Sequence, residues 1–373
     1  MDTLKRTENT SRAVNPAAVL RPEILDWKSY HVADSTGMVK LDAMENPYSL
    51  PPEVRRVLGE ALSDAAIHRY PDPSPRGLKQ LLRVQLGLPE NMEILLGNGS
   101  DEIILLLCLA VARRDAVVMG VEPSFVMYRV SAATAGLRYE GVALRPDFSI
   151  DEAALMDAID THRPALLFLA CPNNPTGNLF DPALVRRVIA RAPGLVVIDE
   201  AYHAFAHMTY LPELAEATNL VVMRTLSKLG LAGLRLGFVV GAAAWLGELD
   251  KLRMPYNVNV LTQIAASVAL RHISVLTGQA DAVVAERAPL AAALAAFPGV
   301  QVFPSDANFV TFRVPDAPAT FAGLKARGVL IKNLHGAHPL LNNCLRVTVG
   351  MPSENRAFLG ALDSALSHPK GRP

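Results

Sequence analysis

The feature that most constrains this chain is a series of short, continuous apolar runs, each ending abruptly in polar or turn-forming residues. The runs are Ile94–Leu96, Ala116–Met119, Ala165–Ala170, Leu195–Ile198, Leu220–Met223 and Leu236–Val240. Unalternated runs of this length suit strands buried on both faces. Helical spacing is found between most of them, as in Pro182–Arg191, and before them in Pro52–Ala65 and Arg76–Leu86. Strands separated by helices build an α/β fold with a mainly parallel sheet. The later segments Phe309–Arg313 and Cys344–Val349 mix with helices and read as a smaller α+β domain. The expected organisation is a polar arm over residues 1–40, a large domain over 41–270 and a small domain over 271–373, packed with part of the N-terminal segment.

Composition removes several classes. Half of the 373 residues are hydrophobic, enough for a large core, so disorder is excluded as the dominant state. Lys+Arg and Asp+Glu both number 36, which argues against a broad basic surface for nucleic acid and fits an oligomer. Cys108, Cys171 and Cys344 are far apart and form no CxxC, so no disulfide framework or metal cluster is expected. The apolar run Ile103–Ala112 is too short to span a bilayer, and the N-terminus has no run of signal-peptide length. These features predict a cytoplasmic protein with neither a membrane nor a nucleic-acid partner.

Ligands of open α/β sheets bind outside the carboxyl ends of the strands. Those ends carry Gly97-Asn98-Gly99-Ser100-Asp101, Pro172-Asn173-Asn174-Pro175-Thr176-Gly177, Asp199-Glu200-Ala201-Tyr202 and Thr225-Leu226-Ser227-Lys228. The Gly99 turn opens a helix expected to run to Ala112 with Ser100 or Asp101 as its cap. It is either an anion site or an ordinary glycine turn. Asp199 ends an apolar strand and needs a partner: a protonated ring nitrogen, or an Arg, Lys or backbone donor. Lys228 is either a partly desolvated amine nucleophile or a solvated surface lysine. Arg235 follows seven residues on, two helical turns if the stretch is helical, and would reinforce a phosphate site. The Asn174–Gly177 turn offers a handle for a ring hydroxyl. An amine, a buried carboxylate, a polar handle and an anion nest together describe a phosphorylated aromatic aldehyde, the pattern of pyridoxal 5'-phosphate.

The blocks LDAMENPY (Leu41–Tyr48), RYPDP (Arg69–Pro73), LGNGSDE (Leu96–Glu102), PSFVMY (Pro123–Tyr128) and PNNPTGN (Pro172–Asn178) occur in order. VIDEAY (Val197–Tyr202), TLSKLGLAGLRLG (Thr225–Gly237), PYNVN (Pro255–Asn259), ANF (Ala307–Phe309) and CLRVTVG (Cys344–Gly350) follow. From about Leu41 to Asn355 the chain resembles the fold-type-I, aspartate-aminotransferase-like enzymes. Within them it is similar to the histidinol-phosphate aminotransferase family. That resemblance implies a seven-stranded, mainly parallel sheet with a smaller α+β domain, and transfer of an amino group between L-glutamate and imidazole-acetol phosphate.

It also implies roles. Lys228 would bind the cofactor aldehyde and shuttle the proton, Asp199 would hold the ring nitrogen protonated, and Asn174 and Tyr202 would bond the phenolic oxygen. Phe125 would stack on the ring. Gly99, Ser100, Asp101, Ser227 and Arg235 would surround the phosphate, and Tyr70 would reach the cofactor of the other subunit of a homodimer. Arg346 and Lys332 would grip the substrate anions, with Tyr30 of the arm touching substrate. Three positions depart from the family pattern: Phe125 where Tyr is frequent, Lys332 where Arg is common, and Met44 where Asn is common. Each residue also has a plain reading: Phe125 and Tyr202 as packing, Arg346 as a structural ion pair, Tyr30 as an anchor and His203 as a local hydrogen-bonding side chain. The competing activities are an aromatic aminotransferase, a decarboxylase or lyase of a phosphorylated amino acid, and a cofactor-binding regulator. The short arm leaves no room for a DNA-binding domain in front, which disfavours the regulator.

Overall fold

The central sheet forms from the runs that the sequence leaves apolar on both faces. The computed structural model describes residues 14–27, 29 and 32–367, in two units, Met1–Thr36 and Gly37–Pro373. In the first unit the described residues form a short turn of 3-10 helix, Pro16–Ala18, and a helix, Pro22–Asp26. The second unit carries the strands, here numbered in chain order. They begin with β1 (Val39–Lys40), β2 (Met92–Asn98), β3 (Val117–Glu122), β4 (Arg138–Ala143) and β5 (Leu166–Ala170). Next come β6 (Leu195–Asp199), β7 (Leu220–Thr225), β8 (Leu236–Ala242) and β9 (Gln301–Val302). The last are β10 (Phe309–Arg313), β11 (Val329–Leu330), β12 (Lys332–Asn333) and β13 (Cys344–Thr348).

Seven strands form the main sheet in the order β2-β8-β7-β6-β5-β3-β4. The inner strands bury both faces, which is why they read as unbroken hydrocarbon. Along β5, Leu167 and Leu169 enter one core while Leu166, Phe168 and Ala170 enter the other. The same alternation splits Val196 and Ile198 from Leu195 and Val197 in β6. Strand β4 lies at the sheet edge, and its sequence Arg138-Tyr139-Glu140-Gly141-Val142-Ala143 has no apolar run to announce it.

Strand β8 is antiparallel to both β7 and β2. The segment 226–235 that joins β7 to β8 is shorter than a parallel crossover needs, so the chain turns straight back. Strand β2 therefore runs parallel to β7, and the carboxyl ends of β2, β5, β6 and β7 share one edge with the start of β8. A Cβ on Gly237 of β8 would lie 2.5 Å from the Ser100 backbone nitrogen, so this strand and the turn after β2 are in direct backbone contact.

The smaller sheet has the order β12-β13-β10-β9, with antiparallel pairing throughout, and β1 pairs in parallel with β11. In its register Arg346 of β13 lies opposite both Lys332 of β12 and Thr311 of β10. Helices Ala317–Lys325 and Pro352–Ser367 pack together beside this sheet. Among the described residues no single helix is long and apolar enough to cross a membrane, and the three cysteines are buried thiols.

Two local expectations are corrected. The helix after β2 spans Ser100–Ala110, and its cap position is Gly99, with no side-chain capping bond. Gly99 at φ +82° makes the turn, so Ser100 is already helical and neither Ser100 nor Asp101 can cap. The stretch from Lys228 to Arg235 is not a continuous helix either. It breaks at Gly230 (φ +110°), and Arg235 itself takes a left-handed conformation.

Gly237→Ala is expected to lower stability by roughly 1–3 kcal/mol, the usual cost of overpacking, because the atoms it would meet are backbone and cannot rotate away. Urea denaturation of both proteins checks this, and an unchanged midpoint would show that the β8–turn contact yields freely.

Candidate active site

The β7–β8 connection sets the position of Lys228. Thr225 Oγ1 donates to Ser227 Oγ at 2.9 Å and accepts from the Ser227 N–H at 3.1 Å. The turn closes with the Leu231 N–H donating to the Leu226 carbonyl at 3.2 Å. A Cβ at Gly230 would sit 2.9 Å from Asn46 Nδ2, so LDAMENPY and the lysine turn meet where only glycine fits. The Lys228 ammonium donates to the Ala43 carbonyl at 3.0 Å. Burial, reinforced by the Arg346 charge, brings its pKa down to about 8.

Asp199 is buried at the end of β6. Tyr128 donates its hydroxyl to Asp199 Oδ2 at 2.7 Å, and the Ala201 N–H donates to Oδ1 at 3.0 Å. Burial pushes this carboxyl up to about 6, while those two hydrogen bonds pull it back. Beyond it, Asn174 Nδ2 donates to Tyr202 Oη at 3.1 Å, and Tyr202 donates to the Met44 thioether at 3.1 Å. Arg346 donates to Asn174 Oδ1 at 2.5 Å and to the Asp42 carbonyl at 3.1 Å.

One cavity at this sheet edge is lined by Lys228, Asp199, Asn174, Tyr202, Phe125 and Arg235, together with Ser100, Asp101 and Ser227. Where the turn after β2 meets the cavity, Arg235 pairs with Asp101 at 3.0 Å. A Cβ on Gly99 would come within 2.6 Å of the Arg235 guanidinium, so that glycine also opens the space Arg235 occupies. Glu102 accepts from the Asn98 N–H at 2.5 Å, which ties down the turn from outside the cavity.

Phe125 meets Tyr128 edge-on, with ring centroids 5.6 Å apart. Below the cavity, Glu200 and Arg224 form a buried ion pair at 2.7 Å that anchors the loop after β6. His203 has the local role its plain reading gave it. Its Nδ1 lies 3.0 Å from the Glu200 carbonyl, and burial lowers its pKa to about 3, so the ring is neutral.

Lys332, Arg346, Gly99 and Tyr70 are not among the residues that line the cavity, and Arg346 meets it through its bond to Asn174. Lys332 is the half-buried cross-strand neighbour of Arg346, so both side chains leave the same face of the small sheet. Tyr70 is 81% exposed and stacks on Tyr256 at 4.6 Å. Tyr30 lies outside the described residues. Sequence reasoning missed the contact of Tyr128 with Asp199, although Tyr128 closes the PSFVMY block. It noted Met44 without a role for it.

The chain matches the family model "Aminotransferase class I and II" over residues 36–362. It is 53% identical over 344 residues to a histidinol-phosphate aminotransferase of Chromobacterium violaceum, covering 92% of this chain and 97% of the relative. It is also 53% identical to histidinol-phosphate aminotransferase 2 of Cupriavidus pinatubonensis, covering 93% and 96%. Among solved structures it is similar to a histidinol-phosphate aminotransferase from Sinorhizobium meliloti in complex with pyridoxal-5'-phosphate. The TM-score is 0.81 at 25% identity, over 94% of this chain and 98% of that one.

The lowered pKa of Lys228 gives a direct test. Reductive alkylation by a small aldehyde, followed at Lys228 by peptide mass spectrometry, is expected to accelerate up to about pH 8 and then level off. Acceleration that continues to the ordinary lysine range would mean that the amine is solvated.

Proposed function

The chain belongs to the class I and II aminotransferases, and from that premise we infer that it is a histidinol-phosphate aminotransferase. It uses pyridoxal 5'-phosphate to pass the amino group of L-glutamate to imidazole-acetol phosphate, giving 2-oxoglutarate and L-histidinol phosphate. The observation that carries this reading is the pairing, in one cavity, of a desolvated amine with a buried carboxylate that no cationic side chain among the described residues neutralises by a hydrogen bond. The residues fit the cofactor. The carboxylate needs a cation, the Gly99 turn leaves helix N–H groups uncapped beside Arg235, and the Asn174–Tyr202 pair offers polar atoms between them.

When bound, the cofactor would supply an aldehyde for the substrate amine and a cationic ring that draws electrons from Cα. Lys228 would hold it through its amine, and Asp199 would face the ring nitrogen. Asn174 and Tyr202 would serve the phenolic oxygen. Phe125 would pack on the ring, and Ser100, Asp101, Ser227 and Arg235 would surround the phosphate. A lysine that loses its proton at about pH 8 has a useful neutral fraction near pH 7. Its Nζ is the group that would take the proton from substrate Cα and deliver it to the carbon that carried the cofactor's aldehyde. Asp199, with its carboxyl at about 6, is ionised at that pH and can oppose a positive ring nitrogen. Arg346 and Lys332, side by side on the small sheet, would bind the two unlike anions in turn: the carboxylate of glutamate and the phosphate of histidinol phosphate.

The working unit would be a cytoplasmic homodimer. Exposed Tyr70, its stacking partner Tyr256, and exposed Ile67 and Met254 nearby in sequence supply apolar surface for a second copy. From there Tyr70 would reach the partner's cofactor phosphate.

A single half-reaction tests the assignment. The loaded protein, mixed with histidinol phosphate and no acceptor, should convert its cofactor absorbance faster than with phenylalanine at equal concentration. The reverse order would make it an aromatic aminotransferase, and no conversion by either would remove the amino-transfer reading. Lys228→Ala should lower turnover at least about 10³-fold, through loss of both the covalent anchor and the base. A rate within tenfold of the native one would show that another group moves the proton.

A further inference from the structure

Tyr128 is a fully buried tyrosine that none of the roles above uses. It sits on the helix Met127–Thr134 that follows β3, and its ring is clamped on two sides. It lies parallel to Phe168 of β5 at 4.5 Å with an interplanar angle of 5°, and Phe125 meets it edge-on. These contacts fix the ring without involving its oxygen, so the hydroxyl is aimed by packing alone. Its target is Asp199 Oδ2 at 2.7 Å. Phe125 and Asp199 are the groups assigned to the face and to the nitrogen of the cofactor ring, and Tyr128 touches both.

We propose that Tyr128 is the positioning residue that keeps Asp199 a carboxylate and directs it at the cofactor ring, so that the proton shared between them stays on the ring nitrogen. This rests on the cofactor assignment above, and it assigns a task to a residue outside that set. The surroundings of Asp199 leave that task to a neutral donor. Asp101 and Glu200 carry negative charge that disfavours its ionisation. Cys171 and Tyr202 lie near it, both held protonated by burial, and Lys228 lines the same cavity. The hydrogen bonds that favour the carboxylate come from the Tyr128 hydroxyl and the Ala201 N–H. The hydroxyl keeps its own proton, because burial and the Asp199 charge both raise the Tyr128 pKa. It acts as a donor and not as an acid. A hydrogen bond to a charged group, once lost in a buried site, moves a protonation equilibrium by roughly tenfold or more.

The test is Tyr128→Phe, which removes one oxygen and keeps the stacked ring. In apo-protein carrying carboxyl-13C aspartate, the NMR titration midpoint of Asp199 should rise by about one pH unit. In the loaded protein, the 15N signal of ring-labelled pyridoxal 5'-phosphate should move from the pyridinium position toward neutral pyridine. Phe168→Leu, which loosens the stack but keeps the hydroxyl and the Phe125 contact, should move the apo midpoint by less than half as much. An unchanged midpoint in Tyr128→Phe overturns the proposal, and so does an equal shift in Phe168→Leu, which would trace the effect to packing. The apo titration separates this proposal from the cofactor assignment. If the native protein failed to bind pyridoxal 5'-phosphate, the function would be wrong, while the Tyr128–Asp199 coupling would still be read directly.

Discussion

Asp199 has to remain usable as a charge at the end of a strand that is otherwise hydrocarbon. A carboxylate in such a place is costly unless it is hydrogen-bonded or paired, and its commonest escape is to take up a proton. The sheet edge limits that escape by supplying neutral donors, a phenol from one side and a backbone N–H from the next turn. Lys228, which lines the same cavity, is bonded elsewhere, to a carbonyl of the LDAMENPY segment. Carboxylate and amine thus share a cavity without quenching each other in an ion pair, which is what the proposed role of Asp199 toward a cationic ring requires.

That separation depends on the reversal of β8. A crossover helix after β7 would have carried Arg235 to the far end of the sheet. The short return instead starts β8 at the same edge, with Arg235 immediately before it and Lys228 within the turn. The close approach of Gly237 to Ser100 then joins the anion turn and the lysine turn into one rigid piece. Gly230 and Gly99 serve the same assembly from either side, one making room for Asn46 and the other for Arg235.

Much of this was legible in the residues because buried parallel strands leave an unmistakable trace. β5, β6 and β7 are hydrocarbon to within two residues of their ends, and the polar residues that break each run mark the edge where ligands bind. β4 was illegible for the opposite reason: an edge strand half open to solvent carries charges and no run. Lys228, Asp199, Asn174, Tyr202 and Arg235 could be named because polar groups at strand ends are conspicuous. Tyr128 could not, because an aromatic residue at helical spacing reads as core, and here it is core in every atom but its oxygen. The helix cap was misassigned because Ser and Asp are the usual caps, whereas a glycine with positive φ had already made the turn.

The polarity of the hydrogen bonds links the two halves of the site. Arginine can only donate, so the bond from Arg346 fixes the Asn174 side chain with its oxygen toward the small sheet. Its amide then points at Tyr202 and donates, which leaves the Tyr202 proton to point away, onto the Met44 sulfur. A thioether is a weak acceptor, so this last bond is the one in the chain most readily given up for a better acceptor. Met44 is held in a left-handed conformation by bonds from its N–H to Thr348 and from Asn308 to its carbonyl, which fixes the backbone from which the sulfur reaches Tyr202. In the proposed function Met44 would leave Tyr202 free to turn its proton toward the cofactor's phenolic oxygen, while Arg346, at the other end of the same chain, would answer to the substrate anion.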